Sequence, residues 1–104
     1  MSEMNWTRVG RVADLRKNEA TAFKINDVDF AIYRLEDGCY AMNDICTHAF
    51  AHLSSGFIEG DIVECPLHQA RFAIKTGKSL DDIAPEDLTT YEVKVENGEV
   101  FVRL

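Results

Sequence analysis

Four side chains able to bind a soft or borderline metal occur in this chain as two tight pairs. They are Cys46-Thr47-His48 and, after sixteen intervening residues, Cys65-Pro66-Leu67-His68. Thiolate and imidazole are the donors that hold zinc, copper and iron–sulfur clusters. Zinc fingers commonly pair Cys with Cys and His with His, whereas each pair here offers one of each. That mixed pattern counts against a finger-like zinc site. It suits a two-iron centre in which one iron takes two thiolates and its neighbour two imidazoles. Two loops deliver that set when Cys46 joins Cys65 on one iron and His48 joins His68 on the other. The remaining cysteine, Cys39, stands alone after a turn and reads as a small hydrophobic side chain.

Loops that must meet need rigid elements beneath them, and the chain reads as short strands separated by turn signals. Val28 to Leu35 and Cys39 to Met42 flank Asp37-Gly38, the pattern of a hairpin. Near the C-terminus Tyr91, Val93 and Val95 alternate with Glu92, Lys94 and Glu96. Asn97-Gly98 then offers a type I′ turn, and Val100, Val102 and Leu104 alternate with Phe101 and Arg103. This predicts an antiparallel hairpin with one buried face. Asp61 to Cys65 and Ala70 to Ile74 also read as strands, which puts each ligand pair beside a strand end. Leu80 to Leu88 is acidic and irregular, with one helical turn after Pro85. The fold class is all-β, a small barrel or stacked antiparallel sheets.

At 104 residues, 46% of them hydrophobic, the chain can bury one modest core, so residues 1–104 are expected to form a single domain. Eighteen acidic against eleven basic residues give a formal charge of -7, which argues against nucleic acid as a partner, since phosphate binding needs a concentrated basic surface. The same charge suits docking onto basic protein patches, although most of the carboxylates need only keep a small domain soluble. Met1 to Val12 contain Glu3, Asn5, Arg8 and Arg11 and so read as neither signal-peptide core nor membrane anchor. No later segment approaches the roughly 18 apolar residues of a membrane span. An odd number of cysteines without an export signal points to reduced thiols, and the expected location is cytoplasmic.

The pairs C-T-H at 46–48 and C-P-L-H at 65–68 resemble the cluster-binding loops of Rieske proteins. The surrounding residues extend the match: Leu53-Ser54-Ser55-Gly56, Gly60-Asp61-Ile62-Val63-Glu64, Arg71-Phe72 and Thr76-Gly77-Lys78. The resemblance runs from about Trp6 to the C-terminus. It implies a Rieske fold of small stacked antiparallel sheets with a two-loop cluster-binding subdomain, here about residues 44–78, holding one 2Fe-2S cluster through Cys46, His48, Cys65 and His68. Within the family the chain is most similar to the free-standing ferredoxins of bacterial aromatic-ring-hydroxylating dioxygenase systems. Respiratory and photosynthetic members carry a further Cys in each loop, joined as a disulfide, at positions that correspond to Ala51 and Leu67. They also continue with a serine that donates to a cluster sulfur, where this chain has Gln69-Ala70. Fewer donors stabilise the added electron less, which implies a potential near the low end of the Rieske range of about -150 to +300 mV. Neutral imidazoles in place of two thiolates leave the oxidised centre neutral rather than doubly negative. This keeps the potential above that of all-cysteine ferredoxins.

The implied role is a soluble, monomeric one-electron carrier between an FAD-containing NAD(P)H ferredoxin reductase and a terminal Rieske non-haem iron oxygenase. In the family the imidazoles expose their second nitrogen at the protein tip and give the electron its exit, a role that falls here to His48 and His68. Oxygen chemistry within the chain is excluded by counting. A mononuclear iron triad needs two more histidines, and only His52 remains. The alternative is the small Rieske-like subunit of an assimilatory nitrite reductase. Among neighbouring residues, His52 reads as an exposed loop residue near the cluster, in a stretch, Ala49-Phe50-Ala51, that departs from the Gly-Asp-Ala of similar ferredoxins. Phe50 is either a docking residue or a lid; Gln69 and Arg71 either orient the loop, the favoured role, or contact a partner; and Pro85 either lies in the family's third, shielding loop or simply ends an irregular stretch.

Overall fold

The computed structural model describes residues 6–46, 51–66, 69–80 and 86–104. Its strands are β1 (Trp6–Arg11), β2 (Glu19–Ile25), β3 (Val28–Leu35), β4 (Gly38–Asn43), β5 (Phe57–Glu59), β6 (Ile62–Glu64), β7 (Arg71–Ala73), β8 (Thr90–Glu96) and β9 (Glu99–Arg103). They form a six-stranded antiparallel sheet in the order β1-β9-β8-β4-β3-β2 and a three-stranded antiparallel sheet in the order β5-β6-β7. The described residues contain no helix long and apolar enough to cross a membrane.

Strand β3 explains why two hydrophobic clusters can form in so short a chain. Its residues alternate faces, as every strand's do. Ala31, Tyr33 and Leu35 join one cluster, with Met42, Leu53, Val63, Phe72, Ile74 and Leu88, while Phe30 and Ile32 join the other, with Leu15, Ala41, Val100 and Val102. A strand covered on both sides reads as a continuous apolar run. That is why FAIYRL carries no polar alternation. The stacked rings of Phe23 and Phe30, 5.5 Å apart, extend the second cluster across β2.

The two predicted hairpins are present. Asn97 and Gly98 both take positive φ, 52° and 77°, as a type I′ turn requires. Val100 and Val102 are fully buried, whereas Val95 is 45% exposed. The predicted buried face therefore stops short on β8. Of β8 only Thr90 and Tyr91 pair with β4, so the turn end of β8 is bonded to β9 alone. Strands β1, β2 and β5 carry no clean alternation and were not expected. The β2–β3 hairpin turns on Asn26-Asp27, again with both φ positive, a pairing of residues that tolerates the left-handed region without glycine. The expected strands at 61–65 and 70–74 shorten to β6 and β7, because Gly60-Asp61 forms a turn and Cys65 and Ala70 already belong to a loop. No helical turn follows Pro85 in the described residues 86–89, where Leu88 instead donates its N–H to the Gly77 carbonyl at 2.7 Å.

One contact ties the two halves of the site together. After a short 3-10 turn at Leu53–Ser55, the backbone at Gly56 lies so close to β6 that a β-carbon there would fall 2.0 Å from the Glu64 carbonyl oxygen. Backbone cannot yield as a flexible side chain can. Gly56→Ala is therefore expected to destabilise the protein by about 1–3 kcal/mol through overpacking, read as a lower denaturation midpoint; an unchanged midpoint would mean that the turn can lift off β6 at no cost.

Candidate metal centre

Each cysteine of the two pairs heads a loop with the same closure. The Cys46 N–H donates to the Ala51 carbonyl at 2.9 Å, and the Cys65 N–H donates to the Ala70 carbonyl at 2.7 Å. Both loops thus run six residues from Cys to Ala. Cys46 is 4% exposed and Cys65 0%, both lie in the cluster built on Ala31, Tyr33 and Leu35, and neither is in a disulfide. Two buried thiols in one core, at the heads of matched loops, fit a centre that needs a pair of thiolates shielded from water. His48, His68 and Leu67 lie outside the described residues, as do Phe50, Ala49 and Pro85.

The loops stand on different foundations. The second grows from the β6–β7 hairpin, whose last pair is Glu64 with Arg71. Gln69, at a φ of 61°, turns the chain back and donates its N–H to the Cys65 carbonyl. The first has no such ladder. Between its ends lies only an isolated bridge from Ile45 to His52, and the bonding is taken over by Asp44, 1% exposed. Asp44 Oδ1 accepts from the Ser54 N–H at 2.7 Å, and Oδ2 accepts from the Ser54 hydroxyl at 2.8 Å and lies 3.0 Å from His52 Nδ1. His52 was expected as an exposed loop residue. Its side chain is about half exposed, but its ring is held by a buried carboxylate. Asp44 itself escaped notice, and only its place two residues before Cys46, between Asn43 and Ile45, could have drawn attention to it.

A third segment packs beside the second loop. Asn43 donates its N–H to the Thr89 carbonyl, Ser79 donates its N–H to Asp87 Oδ1 at 2.8 Å, and Leu88 is buried with the cysteines. Gly77, at a φ of 76°, is where that segment meets the hairpin, and a β-carbon there would lie 2.2 Å from the Leu88 carbonyl oxygen. Ala51, at 7% exposure, presents only a methyl group at the end of the first loop. Tyr33 on β3 and Cys39 on β4 are both perturbed. Burial, and then the charge of Asp44, push the Tyr33 phenol well above its ordinary pKa, and burial pushes the Cys39 thiol up against the opposing pull of Arg34.

This is a small all-β protein with two cysteine-headed loops whose thiols share one core. Residues 5–92 match the sequence profile of the Rieske [2Fe-2S] domain. The chain belongs to that family, and the cofactor the family implies is a Rieske-type 2Fe-2S cluster. It is 39% identical over 100 residues to the ferredoxin component of the naphthalene 1,2-dioxygenase/salicylate 5-hydroxylase systems of Ralstonia sp., covering 96% of each chain. It is 45% identical over 94 residues to the 3-phenylpropionate/cinnamic acid dioxygenase ferredoxin subunit of Escherichia coli (strain K12), covering 89% of this chain and 88% of that one. Among solved structures, a chain in the complex of reduced oxygenase and oxidized ferredoxin of carbazole 1,9a-dioxygenase superposes with a TM-score of 0.89 at 34% identity, covering 95% and 93% of the two chains. A putative NADH-dependent nitrite reductase small subunit from Mycobacterium tuberculosis superposes less closely, with a TM-score of 0.84 at 26% identity, covering 95% and 94%.

The three thiols should differ in reactivity. Cys39 is partly exposed while Cys46 and Cys65 are buried, and the reacting species is the thiolate. Alkylation of the native protein, mapped by peptide mass, is expected at Cys39 alone. Because that thiol's pKa is raised, its rate at neutral pH should fall below that of an ordinary thiol and keep rising with pH beyond the point where an ordinary thiol levels off. Early labelling of Cys65 would contradict the packing.

Proposed function

We propose that Cys46, His48, Cys65 and His68 hold the cluster, the thiolates on one iron and the imidazoles on the other. In this reading the chain carries single electrons from an FAD-containing NAD(P)H ferredoxin reductase to a Rieske non-haem iron oxygenase acting on aromatic rings. The observation that carries it is the matched closure of the two loops, Cys46 to Ala51 and Cys65 to Ala70. Equal closures set two thiolates at corresponding places in their loops, which a centre with both thiolates on one iron demands. When bound, the cluster supplies a one-electron redox couple. The chain's own share is to bury both thiols in the core, to keep water from them, and to hold His48 and His68 in the loop segments between the closing bonds. The similarity to dioxygenase ferredoxins, at 39% and 45% identity, favours the oxygenase pathway over the nitrite reductase alternative, whose structural relative stands at 26%.

The chain is an electron-transfer component rather than a catalytic subunit, acting as a single domain over residues 1–104, monomeric and cytoplasmic. Its charge of -7 suits brief docking on basic partner surfaces. Cys65→Ser is expected to lose the visible absorption of the oxidised protein and the paramagnetic signal of the reduced one, together with much of the stability, since metal binding and folding are coupled. Normal absorption in that variant would refute the ligand assignment. Reduction by the reductase is expected to slow as salt is added; rates independent of salt would refute electrostatic docking.

A further inference from the structure

The two loops close alike but are not supported alike, and the difference falls on one residue. The second loop is clamped by the paired strands β6 and β7. The first lies between the end of β4 and a 3-10 turn, with no ladder across it. In place of a ladder stands Asp44, the one buried charged residue among the described residues. Its backbone N–H donates to the Asp29 carbonyl at 2.9 Å, which fixes it to β3, and its carbonyl accepts from the Leu53 N–H at 2.8 Å. Its carboxylate takes up both polar groups of Ser54 and faces His52 Nδ1. Every one of those bonds to residues 52–54 reaches across from the near end of the loop to its far end. The loop's own closing bond, Cys46 to Ala51, lies immediately inside this set.

A buried carboxylate without donors would be costly, so its donors and the loop geometry depend on each other. Removing Ser54's hydroxyl or His52's ring leaves the charge with fewer partners and loosens the far end of the loop. Removing the charge releases both at once. A fixed negative charge two residues from a cluster ligand also opposes the arrival of an electron.

We propose that Asp44 is the positioning residue of the first cluster-binding loop, acting through Ser54 and His52 as a side-chain substitute for strand pairing, and that its charge holds the reduction potential down. The proposal rests on the reading of Cys46 and His48 as ligands. Loss of outer support around a metal site commonly weakens metal binding about 10–100-fold.

The test compares the cluster-loaded wild type with Asp44→Asn, Ser54→Ala, Ser54→Thr, His52→Ala and Cys46→Ser. Each is followed for the rate of cluster loss in the presence of a chelator and for the midpoint potential. Asp44→Asn is expected to shift the potential upward and to lose its cluster about tenfold faster or more. Ser54→Ala and His52→Ala keep the charge, so they should lose the cluster faster without the upward shift. Ser54→Thr restores the hydroxyl and should return to the wild-type rate. A merely structural Asp44 would leave the potential where it was. Wild-type potential in Asp44→Asn, or a wild-type rate of cluster loss in Ser54→Ala, would overturn the proposal. Should Asp44→Asn fail to fold, Ser54→Ala against Ser54→Thr decides it. Cys46→Ser separates the two readings. If it binds no cluster while the Asp44 and Ser54 variants match wild type, only the positioning role falls; if it keeps its cluster, the ligand reading falls, and this one with it.

Discussion

Two backbone hydrogen bonds, from Cys46 to Ala51 and from Cys65 to Ala70, set the terms for the rest of the structure. A cluster shared between two separate loops, as proposed for this chain, imposes a condition that neither loop can meet alone: each must hold its cysteine at a fixed depth relative to the other. The short β6–β7 hairpin meets it for one loop, and the buried carboxylate of Asp44 meets it for the other. Gly56 then brings the two to one surface, since only a residue without a side chain lets the turn after the first loop rest on the strand before the second.

Beneath the loops, the six-stranded sheet is a platform whose rigidity comes from β3. Burying Ala31, Tyr33 and Leu35 on one face and Phe30 and Ile32 on the other commits that strand to two clusters at once. Cys46 and Cys65 belong to the first of these, so both thiols share the close packing of the core. The second cluster contains neither Cys46 nor Cys65 and supports the sheet from behind.

Much of this could be seen in the residues. The two hairpins declared themselves through Asp37-Gly38 and Asn97-Gly98, and the donor pairs through their spacing, because turn chemistry and ligand chemistry are both local. What stayed hidden was of two kinds. Strands β1, β2 and β5 are half-buried at the margins of the sheets, where polar and apolar residues mix and the two-residue period blurs. The link between Asp44, His52 and Ser54 is a side-chain contact across a loop, and no periodicity announces it. His52 lies in a loop and is exposed there, as expected, but its contact with Asp44 was not foreseen, since one aspartate among many carries no mark of burial.

The absence of a covalent clamp has a consequence for how such a protein is built. Ala51 offers a methyl group where a disulfide would otherwise lock the loop, and none of the three cysteines is oxidised to another. Hydrogen bonds, unlike a disulfide, open and close without electrons changing hands. Loop closure by hydrogen bonds such as that from Cys46 to Ala51 is therefore indifferent to the redox state of the surroundings, whereas a disulfide persists only where they are oxidising.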